Sequence, residues 1–220
     1  MDGIIVVNKP SGMTSHDVVS RVRRKLNMRR VGHAGTLDPL ATGVLIMLLG
    51  KSTKLFDRFV AFDKAYAATL KLGTQTTSAD ITGEVIGQKP FDHVSQIEVE
   101  NVLKDFMGES QQMPPMVSAV KYKGERLYKL ARKGIIVERP SRKIRIDVLK
   151  LIDFDLPQVR FYLECSKGTY VRTLAEDVGA KLGCGACITQ IERTRVGDFR
   201  LEDAVKLEDL NEGHVRHWSG

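Results

Sequence analysis

Residues 44 to 49, Val-Leu-Ile-Met-Leu-Leu, form an unbroken apolar run closed on each side by glycine. As a strand it reaches about 20 Å, short of the ~20 residues that cross a bilayer as a helix. A segment with no polar face has to be covered on both sides, so the run predicts a buried strand at the centre of a core. That strand roots the loop before it, "GHAGTLDPLATG", and brings one carboxylate, Asp38, to the edge of the core. A residue preceding proline is driven toward extended backbone, and Gly32, Gly35 and Gly43 let the chain turn sharply around it. Taken alone, Asp-Pro is the ordinary opening of a turn. A flexible segment anchored this firmly is also how a fold places a reactive group accurately.

A chain of 220 residues with 42% hydrophobic content supports one principal domain. The opening "MDGIIVVNKP" has only four consecutive apolar residues, and the expectation is neither signal peptide nor membrane span. Three cysteines, Cys165, Cys184 and Cys187, suit a reducing cytoplasm better than a disulfide framework. "CGAC" without a second ligand pair is half a zinc site, and no metal is expected. Charge is unevenly spread. Residues 121 to 150 hold eleven Lys or Arg against three acids, a net of +8, which leaves −1 for the other 190 residues of a +7 chain. "HDVVSRVRRKLNMRR" adds six basic residues against one acid. Two clusters that carry the whole excess point to a polyanionic partner, with nucleic acid foremost.

Periodicity sketches the elements. "GIIVVNKP" reads as a buried strand ending at Pro10, and "TSHDVVSRVRRKLN" as a helix capped by Thr14 or Ser15 with Val18, Val19, Val22 and Leu26 on one face. Alternation in "YAATLKLG" and "VRFYLECS" predicts half-buried strands. Helices follow from Ile97, Val102, Leu103 and Phe106, ended by Gly108, and from Val171, Leu174, Ala175, Val178 and Leu182, closed by Gly183. Without a regular βαβ rhythm, the class is α+β: a mixed, largely antiparallel sheet flanked by helices and loops.

Familiar reaction motifs are missing. "GTQTTSADITG" lacks the lysine of a phosphate-binding loop. His33 stands five residues before Asp38, but no serine or cysteine completes a triad, and a hydrolase built on Asp38 and His33 would need such a triad or a metal. A mechanism without cofactor is the economical reading. Arg172, after Tyr170 at the start of a helix, can serve as a fixed positive partner to a carboxylate. Tyr66, opening a strand, can stack on a nucleobase or pack in the core. A non-catalytic RNA-binding protein would account for the charge clusters equally well.

"NKPSGMTSHDVV", "RRVGHAGTLDPLATGVL", "DKAYAATLKLGTQT", "PPMVSAVKYKGERLYKLARKG" and "SKGTYVRTLAEDVGAKLG" resemble, in order, the motifs of the bacterial tRNA pseudouridine-55 synthases, the TruB family. The resemblance runs from about residue 3 to about residue 210. It implies a single catalytic domain over 1–220 with a basic RNA-binding thumb at about 121–150; many members continue into a C-terminal domain of the PUA type, and the expectation here is a short form without one. It implies that uridine in the T arm of tRNA is flipped out and isomerised in the cytoplasm by a monomer that uses no cofactor, metal or membrane. Residue by residue, the catalytic aspartate falls on Asp38, the tyrosine that stacks on the flipped base on Tyr66, and the arginine that pairs with the aspartate on Arg172. The histidine that pushes into the RNA falls on His33, and Asn8, Lys9 and Pro10 fall on the motif that supports the catalytic loop. Lys9, Lys129, Arg132 and Lys133 are the expected RNA contacts, and Asp80 matches an aspartate after the tyrosine strand. Three positions depart from the pattern: Val117 for an aromatic, Thr77 for an acid, and Glu192 where a basic residue is frequent.

Overall fold

The computed structural model describes residues 1–118 and 120–218; the side chains of Lys121 and Arg132 lie outside what it describes. In chain order the elements are β1 (Gly3–Lys9), α1 (Ser15–Lys25), β2 (Val31–Ala34), β3 (Thr42–Leu49), α2 (Phe56–Val60), β4 (Lys64–Leu72), β5 (Thr74–Thr76) and β6 (Val85–Gln88). There follow α3 (Gln96–Asp105), β7 (Gly108–Gln112), β8 (Lys121–Tyr122), β9 (Glu125–Arg126), α4 (Leu127–Arg132), β10 (Arg142–Asp155) and β11 (Gln158–Cys165). The last are α5 (Val171–Lys181), β12 (Ala186–Val196), β13 (Phe199–Arg200) and β14 (Val205–Lys206). The class is α+β with a largely antiparallel sheet, as periodicity indicated. The chain forms two compact units, Met1–Tyr66 with the residues from Ile191 onward, and Ala67–Gln190; β4 and β12 each run from one into the other.

The first unit is organised by β3. Every residue of Val44–Leu49 is buried, as expected of a strand covered on both faces. It pairs antiparallel with β1 and β2 and, at Glu192 and Arg193, parallel with β12. Helix α1 buries Val18, Val19 and Val22. Thr14 is its cap: the hydroxyl accepts from the Asp17 amide while the Asp17 carboxylate accepts from the Thr14 amide. Ser15, the other cap candidate, turns inward instead. Phe59 closes the far side of the core, with Phe62, Phe199 and Trp218 around it at centroid distances of 5.5, 5.9 and 4.6 Å.

The second unit is built on the strand order β4-β11-β10-β7, with β10 antiparallel to both neighbours. Helices α3 and α5 pack on one another. The α3 stripe differs from its periodic reading: Ile97 is 70% exposed, and the buried positions are Val99 and Leu103. Ser95 sets that phase by capping the helix together with Glu98, which puts Ile97 on the outside of the first turn. The helix ends at Asp105, and Gly108 opens β7. Helix α5 follows its expected stripe and lies hard against β12, where a Cβ on Gly179 would stand 2.2 Å from the Ala186 nitrogen. The basic stretch ends inside β10, and its earlier part forms the hairpin β8-β9 and α4.

Candidate active site

Asp38 is half-buried in the loop from β2 to β3, and this loop is tied down along its length. Arg193 Nη2 donates to the Gly35 carbonyl at 3.0 Å. The buried Ser15 hydroxyl holds Leu37 twice, accepting from its amide at 2.9 Å and donating to its carbonyl at 3.2 Å. The Asp38 carbonyl accepts from the Ala41 amide. The Pro39 carbonyl accepts from the Gly12 amide and from Lys9 Nζ, and the Leu40 carbonyl accepts from the Ser11 hydroxyl. A loop held by partners from β1, α1 and β12 has few backbone conformations left, so its carboxylate is delivered in one place.

Lys9 is wholly buried, with 0% of its surface exposed, so it supports the loop from beneath and is not the direct RNA contact the resemblance implied. Its ammonium donates to the carbonyls of Pro10, at 2.9 Å, and Pro39, at 3.3 Å. Burial pushes it down to about 8; the Asp38 carboxylate pulls it back up, Arg193 lowers it further and Asp17 raises it. Lys9 and Asp38 are therefore electrostatic neighbours at the expected support motif, whose Asn8 pairs with Val44 along the sheet. His33 is half-buried on β2, opposite Met47. Tyr66 is buried near the start of β4.

In the second unit, Arg172 is only 3% exposed, in the wholly buried first turn of α5. Its Nη1 and Nη2 donate at 2.7 Å each to the carbonyls of Ser78 and Val117, and its Nε lies 3.8 Å from Asp80 Oδ2. Asp80 Oδ1 meanwhile accepts from the Ser78 hydroxyl and from both the amide and hydroxyl of Thr82. Val117, a departure from the family pattern, thus contributes through its main chain, which any residue supplies. The start of α5 is fixed by Gln112, whose side-chain amide accepts from the Tyr170 N–H at 2.7 Å and donates to the Tyr170 carbonyl at 3.1 Å.

The basic stretch is a surface feature. Lys129 and Lys133 are exposed, and Lys133 lies 2.8 Å from Glu125. The Arg132 side chain is outside the described residues. Cys184 and Cys187 are buried, and burial raises both thiols.

Ser15, Arg193 and Gln112 did not stand out in the sequence as site residues. Their only signals were a serine that could have been a cap, an arginine inside a strand, and an amide in a polar run.

Two family models match the chain: "TruB family pseudouridylate synthase (N terminal domain)" over residues 23–171 and "tRNA pseudouridylate synthase B C-terminal domain" over 172–218. A tRNA pseudouridine synthase B of Opitutus terrae is 50% identical over 210 residues, covering 96% of this chain and 87% of the relative. That of Clostridium tetani is 47% identical over 218 residues, covering 99% and 75%. Among solved structures, a Cbf5-Nop10-Gar1 complex aligns with TM-score 0.74 and 32% identity, over 94% of this chain and 53% of that one. This chain thus spans about half of the Cbf5-complex chain. Among the described residues no helix is long and apolar enough to cross a membrane.

Proposed function

The chain belongs to the TruB family of pseudouridylate synthases, and from that membership we propose that it isomerises the uridine at position 55, in the T arm of tRNA, with Asp38 as the reacting carboxylate. The observation that carries this reading is the Asp38 loop itself. The carbonyls of Gly35, Leu37, Asp38, Pro39 and Leu40 are all engaged, so the loop's backbone is fixed and it carries the half-buried Asp38 carboxylate in one place.

The reaction breaks the N1–C1′ bond of uridine, turns the uracil and forms a C5–C1′ bond; C5 gives up a proton and N1 ends with one. Atoms and electrons balance without an oxidant, a reductant or a second substrate. A stacked base has to be extruded first, at a cost of a few kcal/mol. Here His33 fills the space the base leaves, and Tyr66 stacks on the extruded uracil. Asp38 acts as an anion, by adding to the sugar or base or by accepting a proton. Arg172 is assigned to the catalytic machinery on the family motif, and Asp80 lies 3.8 Å from its Nε. The enzyme works as a monomer in the cytoplasm. The test is pseudouridine formation at a single uridine of a T-arm hairpin under single-turnover conditions; conversion elsewhere, or none, refutes the assignment.

Lys129, Lys133 and Arg132 are assigned to the phosphate backbone. Binding that releases counterions weakens steeply with salt, so Lys129→Ala is expected to lower the slope of log K against log salt by about 1 and leave the single-turnover rate at saturation unchanged. Lys133→Ala is expected to do less, because its ammonium already meets Glu125. Equal slopes for the parent and Lys129→Ala proteins would remove this segment from the interface.

A further inference from the structure

The sheet register of the first unit sets two buried cations level with one glycine. Lys9 of β1 and Arg193 of β12 both pair with Gly43 of β3, one on each side. Residues level across a sheet present their side chains to one face, so two long cations share a position whose own residue has none. The glycine is required there: a Cβ would lie 2.3 Å from the Arg193 carbonyl oxygen, and φ is +97°. Arg193 is 2% exposed and is satisfied by main-chain oxygens at both ends of one loop. Nε donates to Val44 at 2.8 Å, and Nη2 to Gly35 at 3.0 Å. Its planar fork thus closes the neck of the segment that carries Asp38.

We propose that Arg193 is a positioning residue for Asp38: it clamps the neck of the loop between Gly35 and Val44, and with Lys9 it forms the cationic floor on which the reacting carboxylate is held. The proposal rests on the reading of Asp38 as the reacting group. A lysine at 193 keeps the charge but cannot span two carbonyls with a rigid fork, whereas a methionine of similar length loses both. These substitutions therefore separate clamp from charge.

The pH profile supplies a readout that poor folding does not imitate. Lys9 is faced by Asp38 from the β2–β3 loop, Arg193 from β12 and Asp17 from α1, and it titrates near 8 instead of 10.5. Its deprotonation removes half of the floor, so the rate is expected to fall through an alkaline limb near pH 8. The sign of the stability change is opposite. Between about 8 and 10.5 the unfolded chain holds the Lys9 proton that the folded chain has released, so this group makes the fold more stable as pH rises. A rate that falls while stability rises is not unfolding. Arg193→Met removes a charge that depresses Lys9, and the limb moves to higher pH; Arg193→Lys leaves it in place.

The experiment measures single-turnover conversion of a T-arm hairpin against pH, together with hairpin affinity and thermal stability, for the parent, Arg193→Lys, Arg193→Met and Asp38→Asn. Both Arg193 variants are expected to lose about 100-fold in rate, the cost of a misplaced reacting group, with affinity within about threefold. An Arg193→Lys rate near the parent's, with Asp38→Asn inactive, overturns the role of Arg193 and leaves the site standing. An active Asp38→Asn overturns the site. Should neither Arg193 variant fold, replacing Thr36 by its α-hydroxy analogue decides the matter, because it turns the Gly35 carbonyl into an ester, a weaker acceptor for Arg193, and removes besides only the Thr36 N–H. The rate then falls about fivefold if the clamp positions Asp38, and an unchanged rate refutes it.

Discussion

Asp38→Asn is expected to lose at least about 10⁴-fold in single-turnover pseudouridine formation and to bind a T-arm hairpin within about threefold of the parent. The substitution is nearly isosteric. None of the loop's main-chain bonds to Arg193, Ser15, Lys9, Gly12 or Ser11 uses the Asp38 carboxylate, so the loop keeps its shape. The amide has neither the charge nor the nucleophilicity that the chemical step uses, and no neighbouring carboxylate on this loop can stand in for it. Affinity comes from phosphate contacts and base stacking, which the change does not touch. The same substitution removes a charge that raises Lys9, so Lys9 should titrate still lower in the variant. That shift is measurable by NMR on lysine labelled at the side chain. Conversion near the parent rate would refute the role of Asp38 in the chemical step, whereas binding without conversion by the parent would leave an RNA-binding protein, which the charge clusters alone would explain.

How far the site was legible depended on sequence distance. β1, α1, β3 and α5 were readable because their signals are local: an apolar run, a capping threonine, a stripe closed by glycine. Asp38 was readable for a similar reason, since a proline and three glycines mark its loop within a dozen residues. The supports of Asp38 and, separately, of Arg172 were not. Ser15 reaches Leu37 across 22 positions, Gln112 reaches Tyr170 across 58, and Arg193 reaches Gly35 across 158. No periodicity encodes such bonds, and each residue has a bland local reading. Ile97 shows the converse, because an apolar residue at helical spacing is buried only if the cap sets the phase that turns it inward. Gly43 was legible as a turn glycine; that β12 passes within contact of it follows only from the sheet register.

Asp80→Asn is the second large effect. Arg172 is almost wholly buried, and Asp80 is the carboxylate beside it, itself 6% exposed. Removing one member of a buried pair costs more than the pair contributes, because the remaining charge keeps its desolvation penalty. The variant retains an oxygen to accept from Ser78 and Thr82, so the loop from Ser78 to Gly83 should hold, and the loss isolates the charge. At 3.8 Å the attraction is weaker than at hydrogen-bond contact. The expected destabilisation is thus at the low end for buried pairs, about 3 kcal/mol, read as a fall in the urea midpoint. Function should suffer beyond stability, because Nη1 and Nη2 still donate to Ser78 and Val117 while Nε loses the charge that sets the plane of the guanidinium. Arg172→Lys, which keeps the charge without the fork, should lower the single-turnover rate on its own. In the double variant the two effects should fall short of additive by about 1 to 3 kcal/mol, as for residues in direct contact. Additive losses would mean that Asp80 organises only its own loop, and an Asp80→Asn protein as stable and as fast as the parent would remove the pair from the site altogether.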